Sequence, residues 1–227
     1  MPVIVASTPK GGVGKTTTCL LLATELAHRG INIVLIDADA NEHIKRWKDL
    51  STNVPDNIKV VVDRQDSTIM STIKKYDQDG TIVIVDLQGG RSLVNSRAMA
   101  KADLVMLVTR PMVLDTDTVA TAREVIELEE EALNRPIPRS FVITQTSHVA
   151  SKEERQVVKF LTEQSGEDVV TPYLSRRVHY SALHARGNSL REMPAHSSLA
   201  NAIAEAGRFA DAIYNRLLDV LHVEEAA

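Results

Sequence analysis

Pro9-Lys10-Gly11-Gly12-Val13-Gly14-Lys15-Thr16-Thr17 follows the apolar run Val3-Ile4-Val5-Ala6 and opens the helix-like stretch Thr18-Cys19-Leu20-Leu21-Leu22-Ala23. A strand, a glycine-rich turn and a helix in that order form a phosphate cradle. The glycines let the backbone curl until successive N–H groups converge, and the helix N-terminus adds its positive dipole end. In such a cradle Lys15 reaches the terminal phosphates as a point charge, and the Thr16 hydroxyl supplies one ligand to a magnesium ion that otherwise keeps its waters. Lys10, just before the glycines, is a cation that an ordinary cradle does not need.

Working outward, the first helix runs to Arg29-Gly30, where a glycine can close it, and Cys19 on it reads as a small buried apolar residue. Ile31 to Ile36 is a buried-strand run ending in Asp37-Ala38-Asp39-Ala40-Asn41. Carboxylates at that end of a strand lie on the ligand side of an open α/β sheet, although a helix-capping pair would look the same. A weaker strand at Ile58 to Val62 and a polar helix around Asp66 to Tyr76 lead to a turn at Asp79-Gly80. Thr81-Ile82-Val83-Ile84-Val85-Asp86 then reads as a Walker B strand, whose aspartate holds a magnesium-bound water facing the cradle. Strands follow at Ala102 to Thr109, Pro138 to Thr144 and Val169-Val170 to Tyr173. The acidic run Glu127 to Glu131 reads as a hydrated helix face, and Leu199 to His222 as an amphipathic helix packed on the sheet. The length and a core of Val, Ile, Leu and Ala fit a single domain over residues 1–227, with parallel strands covered on both faces by helices.

The run from Lys10 to Thr17 resembles the deviant Walker A motif of the ParA/MinD family. The resemblance extends to nearly the whole chain, is nearest to small plasmid-partition ParA proteins without an N-terminal DNA-binding domain, and implies an α/β fold, a doubly wound, mostly parallel sheet flanked by helices. It implies ATP and Mg2+ as ligands, with nucleotide contacts from Lys10, Gly11, Gly12, Val13, Gly14, Lys15, Thr16 and Thr17. Lys10 would reach across a dimer interface to the partner's nucleotide. Asp37-Ala38-Asp39 is similar to the family's first switch, where Asp39 positions the attacking water and Asp37 stands near the magnesium held by Thr16 and Asp86. Lys10, Lys15, Asp39 and Asp86 are then the catalytic set. Many relatives have Asp-Pro-Gln where this chain has Asp39-Ala40-Asn41, which leaves the hydrolysis rate open. Gln88-Gly89-Gly90 is similar to the second switch, and Arg110 to Asp115 to a proline-containing segment at the dimer interface, although a plain loop fits the latter. Trp47 is similar to a tryptophan at that offset in the small partition ATPases, and half-buried packing also explains it. Thr144-Gln145-Thr146, with Gln145 as the named contact, lies where the class reads the base; it lacks the Asn-Lys-x-Asp pattern of guanine readers, so ATP is expected over GTP.

Ser175-Arg176-Arg177-Val178-His179-Tyr180 through Gly187-Asn188-Ser189-Leu190 resembles a stretch near the end of small ParA proteins, where basic residues bind DNA phosphates without sequence preference. From Arg135 to Arg191 there are nine Lys/Arg against five Asp/Glu in a chain whose net charge is −4. Arg176, Arg177, Arg186 and Arg191, with Lys152, Arg155 and Lys159, are the candidate DNA contacts, against the plainer reading of solvated arginines. The resemblance thus implies a partition ATPase that dimerises around ATP, binds nonspecific DNA, releases it on hydrolysis, turns over slowly and answers to a centromere-binding, ParB-like partner. A ParA-like accessory factor that recruits a DNA-processing or conjugative-transfer complex is the alternative.

Composition agrees and excludes other classes. The chain has 227 residues, 44% hydrophobic and 25% charged, with 4% aromatics, which suits one core of Val, Ile, Leu and Ala under two helical layers. A single cysteine excludes an internal disulfide, leaves too few thiolates for an iron–sulfur cluster unless several subunits share one, and fits a cytoplasmic protein; the resemblance implies association with the nucleoid when ATP is bound. No apolar run approaches a bilayer span and the closing residues are acidic rather than basic, so no membrane partner is expected.

Overall fold

The computed structural model describes residues 2–76 and 80–225; Asp79 of the expected turn, and the final Ala226 and Ala227, lie outside them. Strands and helices alternate: β1 (Val3–Ser7), α1 (Lys15–Ala27), β2 (Asn32–Ala38), α2 (His43–Leu50), β3 (Ile58–Val62), α3 (Ile69–Lys75), β4 (Thr81–Leu87) and α4 (Leu93–Met99). The second half continues with β5 (Leu104–Thr109), α5 (Val113–Leu133), β6 (Arg139–Thr146), α6 (Lys152–Lys159), β7 (Leu174–Ser175), α7 (Val178–Arg186) and α8 (Leu199–Glu225).

The strands form one seven-stranded sheet in the order β3-β2-β4-β1-β5-β6-β7, every pairing parallel. The chain therefore reverses its direction of winding at β1, and the crevice beyond the carboxyl end of β1 is where such a sheet takes a ligand. Alternation within the strands sorts the core into two layers. Ile4, Ala6, Leu35, Ile84 and Met106 pack under α1, α2, α7 and α8. Val3, Val5, Ile36, Val85 and Leu107 pack under α3, α4, α5 and α6. No described helix is long and apolar enough to cross a membrane.

Three expectations change. The last strand is Leu174–Ser175 rather than Val169 to Tyr173; Val169 makes only an isolated bridge to Phe141. Trp47 is fully buried instead of half-buried, and its indole N–H donates to the Asn188 carbonyl at 3.3 Å. The acidic run is not uniformly hydrated: Glu129 accepts from Ser96 of α4, and Glu130 accepts from the Ile137 backbone and the Arg139 guanidinium.

Gly187 ends α7 with φ 67°, and a Cβ there would lie 2.6 Å from backbone atoms of Leu50 and Ser51 at the end of α2. Gly80 has a similar φ of 74° with nothing within 4 Å. Gly187→Ala is therefore expected to cost about 2–4 kcal/mol, a left-handed backbone penalty plus overpacking, and Gly80→Ala only the first part, about 1 kcal/mol. Chemical unfolding of the two variants against wild type checks the difference.

Candidate phosphate-binding site

The loop between β1 and α1 wraps a cleft of about 680 Å³ lined by Lys10 to Thr17, Asp39 to Asn41, His43, Gln88, Gly89, Gln145 and His184. Gly14 caps α1 with φ 94°, a conformation closed to residues with a Cβ, and this turn directs the first amides of α1 towards the cleft. The loop is braced from β6. The Thr144 hydroxyl lies 2.5 Å from the Val13 carbonyl, and the Gln145 side-chain amide donates to the Gly12 carbonyl at 3.0 Å. Thr144 to Thr146 therefore belongs to the strand, with a register shift that puts Gln145 at φ 56°, and not to the loop beyond it. Gln145 also lines a second cavity of about 180 Å³ with Thr17, Leu21, Arg176 and Tyr180.

Asp86, fully buried at the end of β4, is the centre of the site. One oxygen accepts from the Lys15 ammonium at 2.9 Å and the other from the Thr16 hydroxyl at 2.7 Å. Burial opposes the charge on Lys15, but the Asp86 carboxylate outweighs it and holds the ammonium's pKa above its ordinary value. Asp39 reaches towards the same ammonium, 4.0 Å away. Its other oxygen accepts both the backbone and the side-chain N–H groups of Asn41, at 2.8 and 2.9 Å. Asp37 lies beside Asp86 in register, but its oxygens accept the backbone N–H groups of Asp39 and Lys45. Here Asp37 is the cap of the α2 turn, and burial raises its pKa. A carboxylate oxygen can accept more than one partner, so these bonds are compatible with the expected place of Asp37 near a magnesium ion.

Thr16 and Asp86 bring two hard oxygens together on the cleft side of β4, a donor set that suits an octahedral magnesium keeping most of its waters. Gly89, in the segment expected to be the second switch, passes the loop closely; a Cβ on it would stand 3.3 Å from the Gly11 nitrogen. From Val113 onward, the side chains of the expected interface segment Arg110 to Asp115 lie outside the described residues.

The structure divides the seven candidate DNA contacts. Arg177 is not an open cation: its guanidinium makes two hydrogen bonds to Glu205 of α8, 3.1 and 2.8 Å, and only 13% of its side chain is exposed. Ser175 and the Tyr180 hydroxyl complete the shell of Glu205. Arg191 likewise makes two bonds to the buried Glu25 of α1. Lys159 pairs with Glu163, and Arg155 donates to the Ala150 carbonyl. Lys152, Arg176 and Arg186 are exposed and carry no ion pair among the described residues. Sequence reasoning missed the Thr144 brace and the two histidines; only spatial contact reveals them.

A family model described as VirC1 protein matches residues 1–214. Protein ParA of Rhizobium radiobacter is 39% identical over 222 residues, 97% of this chain and 100% of that protein. Among solved structures, an McdA–ATP complex from Cyanothece superposes with a TM-score of 0.72 at 14% identity, covering 94% of this chain and 96% of that one. Cobyrinic acid a,c-diamide synthase from Mycobacterium smegmatis, with a bound ATP analogue and magnesium, superposes with a TM-score of 0.70 at 15% identity, covering 94% of each chain.

Removing Arg177 leaves Glu205 buried without its cation, whereas Arg186 has no such partner. Arg177→Ala is expected to lower stability by about 3 kcal/mol and Arg186→Ala by less than about 0.5 kcal/mol, read from urea unfolding at neutral pH.

Proposed function

The chain belongs to the VirC1 family of ParA/MinD-type P-loop ATPases, and from that premise we propose that it is an ATP-dependent DNA-partition ATPase. ATP closes a homodimer, the dimer holds nonspecific DNA on the nucleoid, and hydrolysis, slow until a ParB-like partner stimulates it, lets go. The observation that carries this reading is the cleft itself, which has a lysine at each end of one loop, Lys10 and Lys15, and the carboxylates of Asp39 and Asp86 turned towards the second. The ATP and magnesium in the superposable complexes, and the full-length likeness to a ParA protein, support it.

In this mechanism Lys15 and the loop amides hold the terminal phosphates, and the Lys15 ammonium turns from Asp86 towards the developing negative charge. Thr16 and Asp86 would hold a magnesium ion, which would supply positive charge to the phosphates. Asp39 orients the attacking water, and Lys10 of one protomer stabilises charge at the nucleotide of the other. Gln145 meets the base in this reading, which its position bordering both the phosphate cleft and the second cavity supports.

A second reading, an accessory factor that recruits a DNA-processing or conjugative-transfer complex with turnover secondary, is favoured by one contact. Asn41 occupies one oxygen of Asp39 with two hydrogen bonds, which restrains the residue that must handle the water. A purified centromere-binding protein that accelerates ATP turnover supports the first reading; recruitment without acceleration supports the second.

DNA binding is expected to require ATP and to weaken as salt rises, with a log–log slope of about −0.9 for each phosphate neutralised. Arg176→Glu and Arg186→Glu should each reduce the magnitude of that slope by about 1 or more, equally on unrelated DNA sequences and without changing ATP affinity. Salt titrations with ATP, with ADP and without nucleotide check this. Equal binding in all three states would refute the coupling.

A further inference from the structure

His184, on α7, has no part in the mechanism above, yet its Nε2 lies 2.8 Å from the hydroxyl of Thr17, a residue 167 positions away in the chain. Thr17 stands where the phosphate loop becomes α1, and both it and His184 line the cleft. The ring is held from a firm platform. Tyr180 of the same helix donates to Glu205 on α8, and Gly187 at its end lies against the α2 backbone. His43 of α2 meets the His184 ring edge-on, with centroids 6.3 Å apart.

The groups facing His184 are Thr17 from α1, His43 from α2 and, at longer range, Asp86 from β4. Burial first, and His43 second, hold its pKa below the ordinary histidine value. Whichever ring nitrogen carries the proton, Nε2 can donate to or accept from the Thr17 hydroxyl and so pin it. A side chain that fixes the orientation of a phosphate-facing group, from a helix locked by its own contacts, is what a preorganised site requires.

We propose that His184 is a positioning residue for the bound nucleotide, acting through the Thr17 hydroxyl to fix the junction of phosphate loop and helix. The proposal rests on the ATP-binding reading of the cleft and adds α7 to that site. It is tested by calorimetric titration of magnesium–ATP into the full chain and its H184A, H184Q, T17V and T17V/H184A variants. H184A should bind ATP about fivefold to tenfold more weakly, the loss of one hydrogen bond to a site group. H184Q, which keeps a polar group near the Nε2 position, should recover most of that loss. The double variant should be no weaker than T17V alone, because the ring works through the hydroxyl. Wild-type affinity in H184A, equal losses in H184A and H184Q, or multiplying losses in the double variant would overturn the proposal. A wild-type chain that bound no ATP would instead overturn the reading of the cleft, and the proposal with it.

Discussion

A carboxylate with no solvent exposure at the end of a central strand has to be compensated, and the structure around Asp86 follows from that requirement. Lys15 and Thr16 meet its two oxygens, so the start of α1 must lie directly over the end of β4. That fixes β1 beside β4, with Ala6 opposite Asp86. The loop between β1 and α1 then has little freedom, and Gly12 and Gly14 supply the left-handed backbone conformations with which it closes. The pair is also unfinished in a useful sense. An ammonium and a hydroxyl aimed at the same carboxylate can both be redirected to a phosphate and a magnesium ion without rebuilding the fold.

Most of this was legible in the sequence because it is local. Glycine spacing, an apolar run of strand length and an aspartate closing such a run are each patterns confined to a short stretch, and they pointed to the strands and to Lys15, Thr16 and Asp86 as site residues. Asp37 and Asp39 were legible only as a pair with two possible uses. The structure shows the first capping the α2 turn and the second facing Lys15, a division that depends on a turn no alternation pattern encodes.

What was not legible is what lies far apart in the chain. Arg177 and Arg191 look like surface cations in a basic segment, and nothing near them in sequence announces Glu205, 28 residues on, or Glu25, 166 residues back. Trp47 looks like a residue on an amphipathic helix rim, yet α7 closes over it. The position of β7 was missed for a related reason. Two residues of strand carry no period, and the valines that suggested it make only one bridge.

The pairing of Arg177 and Arg191 changes how the charge of this protein is to be understood. Both guanidinia fasten the C-terminal third, Arg177 to α8 and Arg191 to α1, so a local excess of basic residues becomes a set of struts. The charge left on the surface of this segment is smaller than a count suggests, and in a chain of net charge −4 it cannot attract a polyanion from a distance. Under the proposed function, contact with DNA would depend on bringing the remaining cations close together, since a single protomer offers few. Dimerisation would double that surface. The phosphate cleft would then control a surface formed by other residues.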